Sequence, residues 1–226
     1  MESKDESPKY SSKIGGLPNI GNTCFMNSIL QCLFASPKLN EYFLSGLYAD
    51  DINTKTSKTK GKIANAYAKL VKSAKSGSVT RSYVSDFKSC LGRVNSQFLG
   101  FGQQDSQEFL RCALDYLSAD LNKITTKPKY KELKFKKESK HEQAEAWWEY
   151  FMSREDSYIT DLFQGQLISI TKCHSCSHES LAFDSFMDLS LSIPEDSSRS
   201  LYSRTSSVSL GKCLQEFTAE EKFDPD

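Results

Sequence analysis

The sequence lacks an apolar run long enough to cross a bilayer, so it predicts no membrane span. It also lacks a charge imbalance, because Lys plus Arg and Asp plus Glu each total 29, and nothing points to nucleic acid or an anionic membrane surface. Residues 1–13 are polar and charged without an apolar stretch, so we expect no secretory signal. These absences favour a soluble protein of one or two domains within 226 residues.

Cysteine is present, but its arrangement does not suggest a disulfide framework. The count is odd, at seven, and most are scattered singly: Cys24, Cys32, Cys90, Cys112 and Cys213. This pattern indicates a reducing compartment in which cysteines serve in catalysis or bind a metal. We therefore expect the protein in the cytoplasm, the nucleus or both.

The segment from Gly16 to Ser28 is the first candidate site. Its glycines flank a Pro-Asn pair, which predicts a tight loop, and apolar residues then recur at helical spacing from about Cys24 to Ala35. Cys24 therefore begins a helix, where unpaired backbone N–H groups favour a thiolate, the nucleophilic form. A small buried residue at the start of a core helix is the alternative. Asn19, on the preceding loop, has an amide able to stabilise an oxyanion.

The segment from Gly100 to Glu108 opens the clearest helix in the chain. Asp105 followed by Glu108 has the spacing of a capping box, so Asp105 is expected to cap this helix. A carboxylate at the mouth of a groove can also accept from a basic peptide. Both roles remain open for Asp105 at this point.

A third motif, Cys173-His174-Ser175-Cys176, is predicted to form a turn. Two thiolates at this spacing can share a tetrahedral zinc ion, but a structural zinc site needs four ligands. No second CxxC exists, Cys213 is single, and His174 and His178 are the nearby substitutes. A redox CxxC is the alternative, although the βαβ context of that role is missing.

These three motifs together resemble the ubiquitin-specific proteases, which are papain-like cysteine deubiquitinases, and the resemblance extends from about Gly16 to Phe223. It implies an α+β papain-like fold and the cleavage of (iso)peptide bonds after the C-terminal glycine of ubiquitin. It also implies that Cys24 is the nucleophile and Asn19 the oxyanion donor. Asp105 would bind an arginine of the ubiquitin tail, with Gln103 beside it. Cys173 and Cys176 would be half of a structural zinc site.

The resemblance also predicts an organisation along the chain. Residues 1–15 would be a disordered lead-in, 16–157 a helical thumb, and 158–226 the start of the fingers and palm. Residues 53–62 are expected to form a solvated loop, 187–193 a half-buried strand, and 195–209 a flexible Ser-rich linker. Aromatic residues at 144–152 predict a helix anchored in the core.

One element of the chemistry is missing. A nucleophilic cysteine needs a histidine as base, and the family carries it in a Gly-His-Tyr pattern, whereas no glycine of this chain is followed by histidine. The three histidines present are His141, His174 and His178. We therefore expect an incomplete, truncated catalytic domain that is inactive alone. The alternatives are a catalytically inactive ubiquitin-binding module and a zinc-stabilised interaction protein.

Overall fold

A computed structural model of the chain describes residues 14–193 and 208–222. The predicted lead-in and linker fall almost entirely outside these ranges. The chain divides into two compact units, Met1–Met187 and Asp188–Asp226. No helix within the described ranges is both long and apolar enough to cross a membrane.

The first unit is mainly helical, and its mixture of helices with one hairpin confirms the predicted α+β class. Its helices are α1 (Cys24–Phe34), α2 (Pro37–Ser45), α3 (Lys62–Lys75), α4 (Arg81–Val94), α5 (Ser106–Asp120), α6 (Lys140–Met152) and α7 (Tyr158–Phe163). Short 3₁₀ turns cover Leu47–Ala49 and Ser96–Phe98.

The core of this unit forms where α1, α3, α4 and α5 bury their apolar faces against each other. Phe25, the residue after Cys24, packs edge-on against Phe109 of α5, with ring centroids 5.6 Å apart. Phe98 stacks on Phe25 at 5.9 Å and also contacts Phe109 edge-on at 5.5 Å, so the three rings form one cluster. Aromatic pairs of this kind add to the free energy gained from burial. The start of α1 is therefore fixed directly to α5.

The segment 53–62 is largely a loop, as its composition predicted, but it is only partly solvated, since residues 53, 57, 59 and 61 are buried. Ser57 and Thr59 are buried against the fully buried carboxylate of Asp120 at the end of α5, and Asn53 is buried with its N–H donating to the backbone carbonyl of Asp120. This carboxylate accepts from the hydroxyl groups of Ser57 and Thr59. It also accepts from the backbone N–H of Gly61, just before α3, and from those of Ile63 and Ala64 in the first turn of α3. A buried carboxylate needs hydrogen-bond donors, and this part of the polar loop is buried because it supplies them to Asp120.

A β-hairpin follows α7. Strands β1 (Gly165–Lys172) and β2 (Glu179–Phe186) pair antiparallel, from Gly165 opposite Phe186 to Lys172 opposite Glu179. The Phe186 end adjoins the core through Met187, whereas residues 171–180 are exposed throughout. The 173–178 turn thus lies at the exposed end of the hairpin, roughly 20–25 Å along the strands from their other end.

Two other differences from the sequence predictions, and one helix for which no prediction was made, have simple physical causes. Residues 187–193 form no strand within the described ranges, because an extended segment needs a hydrogen-bonded neighbour to become one. The aromatic residues of α6 are half-buried rather than core, and Trp147 and Trp148 each stack on Phe151 of the same helix. Residues 158–163 are helical because the Ser157 hydroxyl caps α7 by accepting from the N–H of Thr160.

The second unit contains α8 (Leu210–Phe217). The Ser209 side chain accepts from the backbone N–H of Lys212 and caps this helix.

Candidate active site

Cys24 is the first residue of α1, and its side chain is exposed. The preceding residue, Thr23, is in the N-cap position, but its side chain does not cap the helix. Its hydroxyl oxygen instead accepts from the backbone N–H of Ile20 at 3.2 Å. The first-turn N–H groups of α1 therefore keep their capacity to stabilise negative charge beside Cys24.

Asn19 is fixed by one end of its carboxamide. Its Oδ1 accepts from the N–H of Gly21 at 2.9 Å, and from the N–H and the hydroxyl of Thr23, each at 3.3 Å. Only an oxygen can accept three donors, so the orientation of the amide is determined by its partners. Its NH₂ group makes no hydrogen bond within the described ranges and remains available to a ligand. We call residues 19–23 the Cys24 loop.

Phe101 connects the segment from Gly100 to Glu108 with the segment from Gly16 to Ser28. The side chain of Asn22 donates to the carbonyl oxygen of Phe101 at 2.8 Å, across 79 positions of sequence. Gly21 has a φ of 119°, and a β-carbon there would lie 2.6 Å from Cδ1 of Phe101. Glycine is therefore required at position 21 for both its backbone conformation and the approach of the Phe101 ring.

Asp105 caps α5, as its spacing predicted. Its Oδ1 accepts from the N–H groups of Gln107 at 2.7 Å and of Glu108 at 3.1 Å. The reciprocal half of a capping box is not formed, because Glu108 accepts from the side chain of Gln97 instead. Asp105 and Gln103 are both exposed on the segment that follows Phe101. A carboxylate has more lone pairs than the cap uses, so it can still accept from a ligand.

Lys88 of α4 is a site residue that the sequence reasoning did not identify. It is 7% exposed, and burial lowers the pKa of its ammonium group. It donates to the carbonyl oxygens of Leu99 and Gly100 and lies over the ring of Phe101. No periodicity signals this role, since a lysine among apolar helix positions is ordinarily a solvent-facing residue. For Asn22, by contrast, the sequence contained one local signal: it belongs to a Gly-Asn dipeptide, which is typical of a turn with a positive φ.

The three histidines lie on α6 and in the hairpin turn. His141 lies on α6, with Nδ1 3.4 Å from Oε2 of Glu145. His174 and His178 are exposed in the hairpin turn. Within residues 14–193 and 208–222, which include all three, no hydrogen bond joins a histidine to Cys24.

Cys173 and Cys176 lie together at the exposed end of the hairpin. The turn is closed by the N–H of Cys173 donating to the carbonyl of His178, and by the N–H of Ser177 donating to that of Cys173, both at 2.9 Å. Backbone N–H groups of Cys176 and Ser175, and the Cys176 thiol, donate to the Cys173 sulfur and lower its pKa. However, the described part of the chain contains no group of three or more His, Cys, Asp or Glu side chains that could hold a metal. The pair alone does not fit a complete four-ligand zinc site.

Comparison with known proteins gives one consistent result. The family model described as ubiquitin carboxyl-terminal hydrolase matches residues 15–210. The putative ubiquitin carboxyl-terminal hydrolase 11 of Arabidopsis thaliana is 43% identical over 189 residues, or 83% of this chain and 21% of that protein. Ubiquitin carboxyl-terminal hydrolase 2 of Homo sapiens is 37% identical over 219 residues, or 96% of this chain and 35% of that protein.

A solved structure agrees at the level of the fold. The SAGA Ubp8/Sgf11/Sus1/Sgf73 DUB module bound to ubiquitin aldehyde matches with a TM-score of 0.62 at 22% identity, over 96% of this chain and 42% of that chain. This likeness confirms the predicted fold. The chain spans about a fifth to a third of the length of the curated relatives it matches.

Proposed function

The chain belongs to the ubiquitin carboxyl-terminal hydrolase family, a family of cysteine-type deubiquitinating peptidases, and we propose from this that Cys24 attacks the C-terminal glycine of ubiquitin. The thiolate would form a C–S bond to the carbonyl carbon, and the C–N bond to the substrate amine would break. Water would then hydrolyse the thioester and release ubiquitin. The observation that carries this proposal is an exposed cysteine at an uncapped helix N-terminus, beside an anchored amide donor.

The proposed role of Asn19 is to stabilise the oxyanion of the tetrahedral intermediate. Its Oδ1 is occupied by the Cys24 loop, so its NH₂ group is held in place before the substrate arrives. A donor fixed in advance needs no reorganisation during the reaction, which makes it more effective than water.

The proposed ligand of Asp105 is a basic residue of the ubiquitin tail, with Gln103 as a neighbouring contact. Both side chains are exposed, and Phe101, two positions before Gln103, contacts the Cys24 loop. A tail that passes Asp105 would therefore approach Cys24 along one continuous surface of the protein. The negative charge of Asp105 would favour a basic partner.

The leaving amine needs a proton, and no histidine of this chain is hydrogen-bonded to Cys24. We therefore propose that complete hydrolysis requires a base that these residues do not provide. The same observation favours a second candidate function, in which the chain binds ubiquitin without turnover.

We also propose that the protein binds a structural zinc ion and that it resides in a reducing compartment. Cys173 and Cys176 would contribute two ligands to a structural zinc ion whose other ligands come from outside the described residues. All seven cysteines are free thiols, which supports a reducing compartment such as the cytoplasm or nucleus.

The test is a reaction with ubiquitin that carries a C-terminal electrophile. We expect a covalent adduct of one ubiquitin per chain, located at Cys24 by mass spectrometry, because alkylation needs a thiolate but no protonated leaving group. Cys24→Ser should abolish the adduct. Cys32→Ser, a change of the other exposed cysteine on α1, should leave it unchanged. An adduct that persists in Cys24→Ser would refute the assignment.

A further inference from the structure

The loop formed by residues 99–102 is held to α4 by Lys88. The Lys88 ammonium donates to the carbonyl oxygen of Leu99 at 3.2 Å and to that of Gly100 at 2.6 Å. It also lies 5.6 Å from the centre of the Phe101 ring. Gly92 lies four residues after Lys88 on α4, and a β-carbon there would lie 2.8 Å from Cδ2 of Leu99. The loop therefore approaches the helix closely.

Hydrophobic burial does not hold this loop. Leu99 is 55% exposed and Phe101 is 71% exposed, so neither side chain is anchored in the core. An open cavity of ≈ 330 Å³ borders the loop and is lined by Ile20, Arg81, Ser85, Lys88, Ser89, Leu99 and Phe101. Because packing is incomplete here, the charge-assisted hydrogen bonds of Lys88 are the strongest restraint on the loop.

The same loop restrains the residues that precede Cys24. The carbonyl oxygen of Phe101 accepts from the side chain of Asn22, and the Phe101 ring packs on Gly21. Gly21 and Thr23 donate in turn to Oδ1 of Asn19. A continuous series of contacts therefore runs from Lys88 through Phe101 to Asn19 and Cys24.

We propose that Lys88 is a positioning residue for the nucleophile: it fixes the 99–102 loop, and this loop fixes the Cys24 loop. Its relevance to catalysis rests on the proposed function, whereas its effect on the Cys24 loop does not. Burying a lysine is costly, and its two carbonyl partners offset that cost only when the loop is in place. The position of the loop and the burial of Lys88 are thus coupled.

The first experiment measures backbone hydrogen exchange in the 226-residue chain. Lys88→Met keeps the length and apolar stem of the side chain but removes the donors. We expect faster exchange at the amides of Gly21 and Thr23, more than 60 positions away in sequence, by about tenfold. Lys72→Met, a change of an exposed lysine on α3, should leave these amides unchanged.

A second variant tests the other end of the contact series. Asn22→Gly removes the hydrogen bond to Phe101 but tolerates the positive φ of 51° at this position. It should also accelerate exchange in the Cys24 loop. Because both changes break one series, the double variant should exceed the larger single effect only slightly. Asn22 is exposed, so this variant tests the contact between the two loops without disturbing the core. If Lys88→Met fails to fold, Lys88→Arg, which keeps the positive charge and the donors, should fold and leave exchange at Gly21 and Thr23 unchanged. Faster exchange in a folded Lys88→Gln variant then tests the role of Lys88.

The catalytic part of the proposal is tested with the ubiquitin electrophile. Misplacing the nucleophile lowers the rate of bond formation, not the affinity for ubiquitin, so Lys88→Met should lower the limiting labelling rate by about tenfold. The half-saturating probe concentration should not change.

Unchanged exchange at Gly21 and Thr23 in Lys88→Met would overturn the proposal, whatever the labelling or the Asn22 variant shows. Faster exchange with an unchanged limiting rate would overturn the positioning of Cys24. If the unmodified chain does not react with the probe, the proposed function fails, and hydrogen exchange alone decides whether Lys88 positions the Cys24 loop.

Discussion

Asn19 and Asp105 each use one oxygen for the local fold and are proposed to use the rest of the side chain for ubiquitin. Oδ1 of Asn19 holds the Cys24 loop, and Oδ1 of Asp105 caps α5. Alanine at either position would remove both roles at once. The informative substitutions are therefore those that preserve the structural oxygen.

For Asn19, the matched pair is Asn19→Asp and Asn19→Ala. Aspartate keeps an oxygen for Gly21 and Thr23 but loses the NH₂ donor to the oxyanion. Where turnover can be measured, Asn19→Asp should lower kcat by ~10²–10³ while the melting temperature stays close to that of the parent. A kcat within a few-fold of the parent would show that Asn19 is not the oxyanion donor.

For Asp105, the matched pair is Asp105→Asn and Asp105→Ala. Asparagine caps a helix as well as aspartate does but carries no charge, whereas alanine costs about 0.5–2 kcal/mol of stability. Both variants should bind ubiquitin more weakly, and only Asp105→Ala should unfold at lower urea concentration. Unchanged ubiquitin affinity in Asp105→Asn would leave capping as the sole role of this residue.

At the scale of elements, Asp120 joins the end of α5 to the start of α3. Asp120→Ala would leave the buried donors of Ser57, Thr59 and the α3 N-terminus without an acceptor, so the free energy of unfolding should fall by ~3 kcal/mol or more. Urea denaturation measures this. The control is Asp86→Ala, on the exposed face of α4, which should stay within about 0.5 kcal/mol. A loss below about 1 kcal/mol for Asp120→Ala would contradict this account.

The hairpin brings Cys173 and Cys176 together but adds no third ligand from the described residues. The chain should therefore bind zinc weakly and lose it to a chelator, because two ligands do not close a tetrahedral site. Metal content after a chelator wash measures this. A Cys173→Ser, Cys176→Ser double variant should lose any residual binding, whereas Cys32→Ser should retain it. One equivalent of zinc surviving the wash would mean that another side chain completes the site.

The property that belongs to the whole molecule is catalytic turnover of a ubiquitin substrate. None of its histidines is hydrogen-bonded to Cys24, so hydrolysis of a fluorogenic ubiquitin C-terminal amide by the chain alone should be undetectable. Adding a polypeptide that carries the His-containing segment of a relative should restore turnover, and Cys24→Ser should abolish it again. Measurable turnover by the unaided chain would mean that His141, His174 or His178 reaches Cys24 in solution.

The sequence alone determined the features that depend on local chemistry. The helix beginning at Cys24, the Asp105 cap and the close spacing of Cys173 and Cys176 follow from hydrogen bonding and periodicity over a few residues, and the structure has each of them. The family and the fold class also followed, because the motifs that carry the resemblance are contiguous in sequence.

The tertiary structure decided what depends on distant residues. Segment 53–62 is polar and was predicted to be solvated, yet its Ser57 and Thr59 are buried because Asp120, about 60 positions away, supplies the acceptor. Residues 187–193 have the alternation of a strand but no described partner to pair with. Lys88 and Phe101 were identified as site residues only from the structure, in which the 99–102 loop contacts both α4 and the Cys24 loop. In each case the deciding interaction joins groups far apart in the chain, which local patterns do not encode.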